Sequence, residues 1–159
     1  MKTKVAVLIA TWFGCGYSPV APGTAGALAA LLIAWPLADL TGWHPLWLAV
    51  VSLAAMPVSV WASTITARKM ARKDPGVVVV DEVLGQWMAL SGAAVLSARA
   101  WVLAFLLFRL FDIWKPWPIR RLEALPEGWG IVADDIAAGI YAALALTLVL
   151  WAGECFNLY

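Results

Sequence analysis

The chain has 159 residues, of which 64% are hydrophobic and 13% are charged, and its formal net charge is +1. Because a soluble domain carries about 25% charged residues, this composition excludes an ordinary water-soluble domain. The near-zero net charge gives no field that would attract nucleic acid. The high hydrophobic content and the mean hydropathy of +0.85 together indicate an integral membrane protein.

Apolar stretches divide the chain. Residues 5–13 are too short to cross a bilayer, which takes roughly 20 apolar residues, so we expect them to lie in the interface or to re-enter. Longer stretches predict helices, in chain order, over residues 24–39, 46–67, 83–97, 100–115 and 131–153. The third and fourth are short for a complete crossing, and a re-entrant pair is the alternative to two spans.

The predicted fold is therefore all-α: a polytopic membrane bundle of about four to five apolar helices, forming one domain over residues 1–159. Basic residues lie at the N-terminus, in the loop 68–73 and in the loop 115–121. The positive-inside rule places these three regions in the cytoplasm. The C-terminus then lies outside.

Five acidic residues fall at the ends of predicted helices that face the cytoplasm: Asp81, Glu82, Asp112, Asp134 and Asp135. The two adjacent pairs are expected at helix N-termini, where capping is an alternative explanation for them. Asp112 is expected at a helix C-terminus, where the helix dipole disfavours an anion. It needs a cation, which is Arg109 or Lys115, each about one turn away, or a metal ion.

Carboxylates without histidine favour a hard cation, Mg²⁺ before Ca²⁺. His44 is the only histidine and lies on the opposite face, which argues against zinc. Arg109 and Lys115 are placed to hold an anion such as phosphate. The pattern thus indicates a metal-assisted phosphate site facing the cytoplasm.

Two other classes of protein remain as alternatives. A small ion or metal transporter would use carboxylates along its path, although these should lie near the bilayer midplane. A structural membrane subunit would leave Asp112 without an explanation. Cys15 and Cys155 have no motif spacing and are expected on opposite faces, so they should not pair.

Four motifs carry a resemblance to a known family. They are, in order, "FGCGYSPVAPGTAGALAA", "DEVLGQW", "FRLFDIWKPWPIR" and "GIVADDIAAGI". In these motifs the chain resembles the phosphatidylglycerophosphatase A family. The resemblance implies an all-helical, Mg²⁺-dependent lipid phosphatase of the bacterial inner membrane. Such an enzyme removes the terminal phosphate of phosphatidylglycerophosphate, an anionic membrane lipid, to give phosphatidylglycerol.

The resemblance also implies roles for single residues. The candidate catalytic residues are Asp81, Glu82, Asp112 and Asp135. The candidate metal ligands are Glu82, Asp112, Asp134 and Asp135. The candidate substrate-binding residues are Ser18, Gly23, Thr24, Arg109 and Lys115. The nucleophile stays open between a water molecule and a covalent route through an aspartate or Thr24. The oligomeric state stays open too.

Overall fold

The described residues, 1–156 of the computed structural model, form seven α-helices and no strand. The helices are α1 (Lys2–Ala10), α2 (Pro22–Thr41), α3 (Leu46–Met70), α4 (Val80–Leu90), α5 (Ala98–Trp114), α6 (Ile119–Leu122) and α7 (Gly128–Cys155). A single 3₁₀ turn, Cys15–Tyr17, lies in the loop between α1 and α2. The predicted all-α class is confirmed, while residues 157–159 of the predicted domain lie outside the described residues.

Within residues 1–156, three helices are long and apolar enough to cross a membrane: α2, α3 and α7. The predicted segment 83–97 is corrected, because α4 begins at Val80, ends at Leu90 and is followed by a turn. With 11 residues at 1.5 Å each, α4 is about 16 Å long, roughly half of the 30 Å hydrocarbon core. The protein thus combines three long helices with a short central one.

Successive long helices run in opposite directions, so several helix ends meet at one end of the bundle. The start of α2 touches the start of α4, since a Cβ on Gly23 would lie 2.3 Å from Glu82 Oε1. The start of α7 touches the last third of α3, where the Gly128 amide donates to Thr64 Oγ1 at 2.9 Å. The end of α5 joins them through Lys115, which binds Asp134 of α7. We call this end of the bundle the polar end.

Helix α4 lies at the centre of the bundle and packs against α2, α3, α5 and α7. Every residue of α4 except Glu82 is buried. Glycines bring α4 and α7 into close contact, because a Cβ on Gly139 would lie 2.4 Å from the Gly85 carbonyl oxygen. On the other side, Trp87 Nε1 donates to the Ala30 carbonyl at 2.9 Å and fixes α4 against α2.

An apolar layer fills the bundle on the inner side of the polar end. It consists of Val83, Leu84, Leu90, Phe108 and Leu146, none more than 1% exposed. Gln86 of α4 and Ser52 of α3 are polar residues that are also fully buried at this depth, and the Ser52 hydroxyl donates to the Leu84 carbonyl at 2.9 Å. The layer separates the polar end from the opposite side of the membrane.

Candidate active site

Three carboxylates meet at the polar end. Asp81 and Glu82 lie in the first turn of α4, and Asp135 lies on α7. Each offers an oxygen, and these oxygens all lie within 4.8 Å of one another. Gly85 allows this approach, because a Cβ there would lie 2.7 Å from the Asp135 carbonyl oxygen. We call Asp81, Glu82 and Asp135 the acidic trio.

The capping explanation for Asp134 and Asp135 is wrong. Helix α7 begins at Gly128, so both residues lie in its second turn, beyond the amides that a cap would satisfy. A side chain at Gly128 would collide with α3, since its Cβ would lie 2.2 Å from the Val60 carbonyl oxygen. Asp134 and Asp135 are only 3% and 4% exposed, and capping of the helix terminus does not explain why these two carboxylates are buried.

Two ion pairs flank the acidic trio. Arg109 Nη1 lies 2.5 Å from Asp112 Oδ2, and Lys115 Nζ lies 2.7 Å from Asp134 Oδ2. The salt bridge considered as the alternative for Asp112 is thus present, and the Asp112 carboxyl also neighbours that of Asp135. Both cations are turned towards the acids and not towards solvent.

Lys115 is positioned by an unusual backbone conformation. It follows the last residue of α5 with φ +46°, in the left-handed region, and this turns its side chain towards α7. Burial alone would lower the pKa of the Lys115 ammonium. However, the hydrogen bond to Asp134 and the charges of Asp134, Asp135 and Glu123 outweigh burial and raise this pKa above its ordinary value. Lys115 therefore stays protonated at neutral pH.

The segment that carries Ser18, Gly23 and Thr24 meets the acids at Gly23, in the first turn of α2. The Cα of Gly23 packs against Glu82, and a Cβ there would also lie 3.4 Å from Arg109 Nη1. Thr24 follows in the first turn of α2. Ser18 is further back in the loop, where its hydroxyl donates to the Val20 carbonyl at 3.0 Å. The structure brings Gly23 to the acids and holds Ser18 within the loop.

Several carboxylate oxygens at the polar end are buried without a partner. Asp81 Oδ1, Glu82 Oε2 and Asp134 Oδ1 accept no hydrogen bond from any residue in 1–156. Burying such atoms unpaired is costly. A hard cation bound by oxygen atoms would offset this cost. The donor set therefore fits the Mg²⁺ ion expected from the sequence.

Three further polar residues lie at or near this site but were not predicted from the sequence as site residues. Glu123 Oε1 lies 3.8 Å from Lys115 Nζ. Asp74 is close enough for its charge to interact with Lys115, Glu123 and Asp112. Gln86 lies one turn beyond Glu82 with both amide atoms unpartnered among the described residues. Asp74 and Glu123 occur in loops, so no helical spacing marked them, whereas Gln86 stands inside the "DEVLGQW" motif.

Comparison with known proteins identifies the family. The family model described as Phosphatidylglycerophosphatase A matches residues 8–150. The chain belongs to the phosphatidylglycerophosphatase A family. The resemblance drawn from the four motifs is thereby confirmed, and the matched region contains every residue that was predicted to belong to the site.

Three relatives show how widely this phosphatidylglycerophosphatase A similarity extends. The Escherichia coli protein named phosphatidylglycerophosphatase A is 41% identical over 86% of this chain and 78% of its own length. The Haemophilus influenzae protein of that name is 38% identical over 87% and 85%. A Bacteroides thetaiotaomicron protein, provisionally named a phosphatidylinositol-3-phosphatase, is 38% identical over 91% and 93%. Comparison with solved structures gave no match.

Membership in the phosphatidylglycerophosphatase A family supports a membrane-embedded phosphatase. The two relatives of that name also narrow the chemistry, since both act on a phosphate ester. The names of the three relatives differ in the lipid headgroup.

Proposed function

We propose that this chain hydrolyses the terminal phosphate of phosphatidylglycerophosphate to give phosphatidylglycerol, assisted by Mg²⁺, at the cytoplasmic face of the bacterial inner membrane. The observation that carries the proposal is the acidic trio with its unpartnered oxygens, beside two cations that can meet a phosphate. The names of the Escherichia coli and Haemophilus influenzae relatives support the choice of headgroup.

The acidic trio would hold the metal ion. Glu82 and Asp135 were predicted as ligands from the sequence, and Asp81 joins them as a proposed third ligand. Asp112 and Asp134 would instead hold Arg109 and Lys115 in position through their ion pairs. When bound, Mg²⁺ supplies polarisation of the phosphoryl oxygens and a lower pKa for coordinated water.

Arg109 and Lys115 would bind the phosphoryl group. Each is already oriented by one carboxylate, so little side-chain freedom is lost when substrate binds. Arg109 can donate two parallel hydrogen bonds to phosphate oxygens, and Lys115 acts as a point charge. Both cations would offset the negative charge on the phosphoryl group in the transition state.

Asp134 is our candidate for the group that takes the proton from the attacking water. Its Oδ2 is held by Lys115, while its buried Oδ1 is unpartnered among residues 1–156. Oδ1 is thus available to accept a proton. The water oxygen then bonds to phosphorus while the P–O bond to the glycerol breaks, and the proton taken by Asp134 passes to the released alkoxide, which gives the hydroxyl of phosphatidylglycerol and free inorganic phosphate. The variant Thr24→Ala tests the covalent route through Thr24. If Thr24 is the nucleophile, this variant should have no turnover, whereas turnover should persist if water attacks directly.

The basic residues support a cytoplasmic site. Arg68, Lys69, Arg72 and Lys73 lie at or just beyond the end of α3, which is at the polar end. Arg120 and Arg121 lie on α6, which packs against α7. The positive-inside rule assigns such a cluster to the cytoplasm. A transporter is disfavoured because the apolar layer lies between the acids and the other side of the membrane.

The test is phosphate release by the purified protein in detergent. We expect release from phosphatidylglycerophosphate with Mg²⁺ and none with EDTA. Asp135→Asn should abolish release, whereas Asp39→Asn should not, because Asp39 is an exposed acid near the far end of α2. Phosphatidylinositol 3-phosphate serves as the competing substrate. Faster release from that lipid, or release that is indifferent to EDTA, would overturn the headgroup or the metal assignment respectively.

A further inference from the structure

An apolar groove lies between α2 and α5. Both helices pack against α4 but make few contacts with each other, and the space between them has a volume of about 590 Å³. Leu28, Leu32 and Trp35 line it from α2, and Leu96 and Trp101 line it from the α5 side. Leu32 and Trp35 are 70% and 64% exposed, so the groove is open towards the surrounding lipid.

Helical spacing connects this groove to the polar end. On α2, Thr24 and Leu28 are four residues apart and lie on one face. On α5, Trp101, Phe105 and Arg109 are likewise spaced by four, so the face that lines the groove carries Arg109 at its end. Gly23 and Arg109, one from each wall, both approach Glu82. The two walls of the groove therefore lead to the two sides of the candidate active site.

The path along α2 from the candidate active site to the far end of the groove matches one leaflet of a bilayer. From Gly23 to Trp35 there are twelve residues of α2, or about 18 Å at 1.5 Å per residue. Half of a hydrocarbon core measures about 15 Å. A lipid whose phosphate lies at the acidic trio would thus have room for an acyl chain along this wall.

We propose that the groove between α2 and α5 binds an acyl chain of the lipid substrate, which enters sideways from the cytoplasmic leaflet. This inference rests on the proposed function, because it takes the phosphate of that lipid to lie at the polar end. The groove differs from the other lipid-facing surfaces in that both of its walls lead along their helices to the candidate active site. The apolar walls contribute to substrate affinity by burying methylene groups.

The first test compares chain lengths. The substrates are dioleoyl and dihexanoyl phosphatidylglycerophosphate, and the variant is Leu28→Trp, which narrows the groove. If the larger side chain displaces two methylenes, the ratio of kcat/KM for the long substrate to that for the short one should fall about tenfold. The matched control is Leu144→Trp, since Leu144 is 62% exposed on α7 and lies outside the groove. An unchanged ratio in Leu28→Trp, or an equal fall in both variants, would overturn the proposal.

The second test needs neither a variant nor turnover. The wild-type protein is irradiated with phosphatidylglycerophosphate that carries a diazirine in one acyl chain. We expect adducts on peptides of α2 and α5. Adducts confined to α7, or equal labelling by a phosphatidylethanolamine with the same diazirine, would refute substrate binding in the groove. A protein that is labelled as expected but releases no phosphate would contradict the proposed function alone.

Discussion

Replacing Gly23 by alanine tests the geometry of the candidate active site with one added methyl group. The new Cβ would lie 2.3 Å from Glu82 Oε1 and 3.4 Å from Arg109 Nη1. The first distance is far inside van der Waals contact, so the carboxylate of Glu82 must move by about 1 Å. A displacement of about 1 Å in catalytic geometry costs about 100-fold in rate. We therefore expect kcat/KM for phosphatidylglycerophosphate to fall about 100-fold, or about 2.7 kcal/mol of transition-state stabilisation.

The stability of the Gly23→Ala variant separates this effect from misfolding. Gly23 lies in the first turn of α2, and alanine is the better helix former by about 1 kcal/mol. The colliding atom ends a flexible side chain, so we expect Tm to stay within a few degrees of the wild type. The Mg²⁺ concentration for half-maximal activity should rise, because Glu82 is a proposed ligand.

The matched control is Gly76→Ala, whose Cβ would meet no atom within 4 Å. It should keep wild-type kcat/KM and Mg²⁺ dependence in the same phosphate-release assay. Normal kcat/KM in Gly23→Ala would show that the position of Glu82 does not matter to the reaction. A fall in Tm large enough to account for the lost activity would remove the variant as evidence.

Three further predictions concern charge, packing and orientation. The pKa of Lys115 is raised in the folded protein. The stability contributed by its ion pair with Asp134 should therefore be fully present below the ordinary lysine pKa, and it should be lost only as the pH rises through the higher pKa of the folded state. The Tm difference between wild type and Lys115→Met should then be constant from about pH 6 to 9, and a difference that shrinks within this range would contradict the assignment. Gly139→Ala should destabilise the protein by about 1–3 kcal/mol, because its Cβ would lie 2.4 Å from the Gly85 carbonyl oxygen; thermal unfolding in detergent measures this, and an unchanged Tm would refute the close contact. In a background without native cysteines, Lys69→Cys should react with a membrane-impermeant maleimide only in inverted vesicles, and reaction in intact cells would reverse the predicted orientation.

The helical class could be predicted from the sequence because a long charge-free stretch in a bilayer must satisfy its own backbone hydrogen bonds, and an α-helix does so. Helix boundaries were harder where glycine is common. The run around Gly128 and Gly130 was expected to be loop, yet α7 begins at Gly128. Contact with the Val60 carbonyl, which only glycine permits, is a tertiary constraint that local pattern does not express.

The candidate site was predictable as a set of residues but not as a set of pairs. The positions of Asp81, Glu82 and Asp135 near the cytoplasmic ends of the predicted helices indicated that they would meet. Which carboxylates would meet a cation depended on the rotation of α5 and α7 about their axes. That rotation is fixed by contacts such as Gly85 against Asp135, and the spacing of residues along one helix does not determine it.

The apolar layer of Leu84, Phe108 and their neighbours also determines how turnover relates to the electrical state of the membrane. Because none of these side chains is more than 1% exposed, water, protons and ions should reach the acidic trio only from the polar end. They must then leave on the same side. Hydrolysis at the proposed site should consequently be electroneutral across the bilayer, since no charge passes through the membrane potential. Its rate should then not depend on that potential.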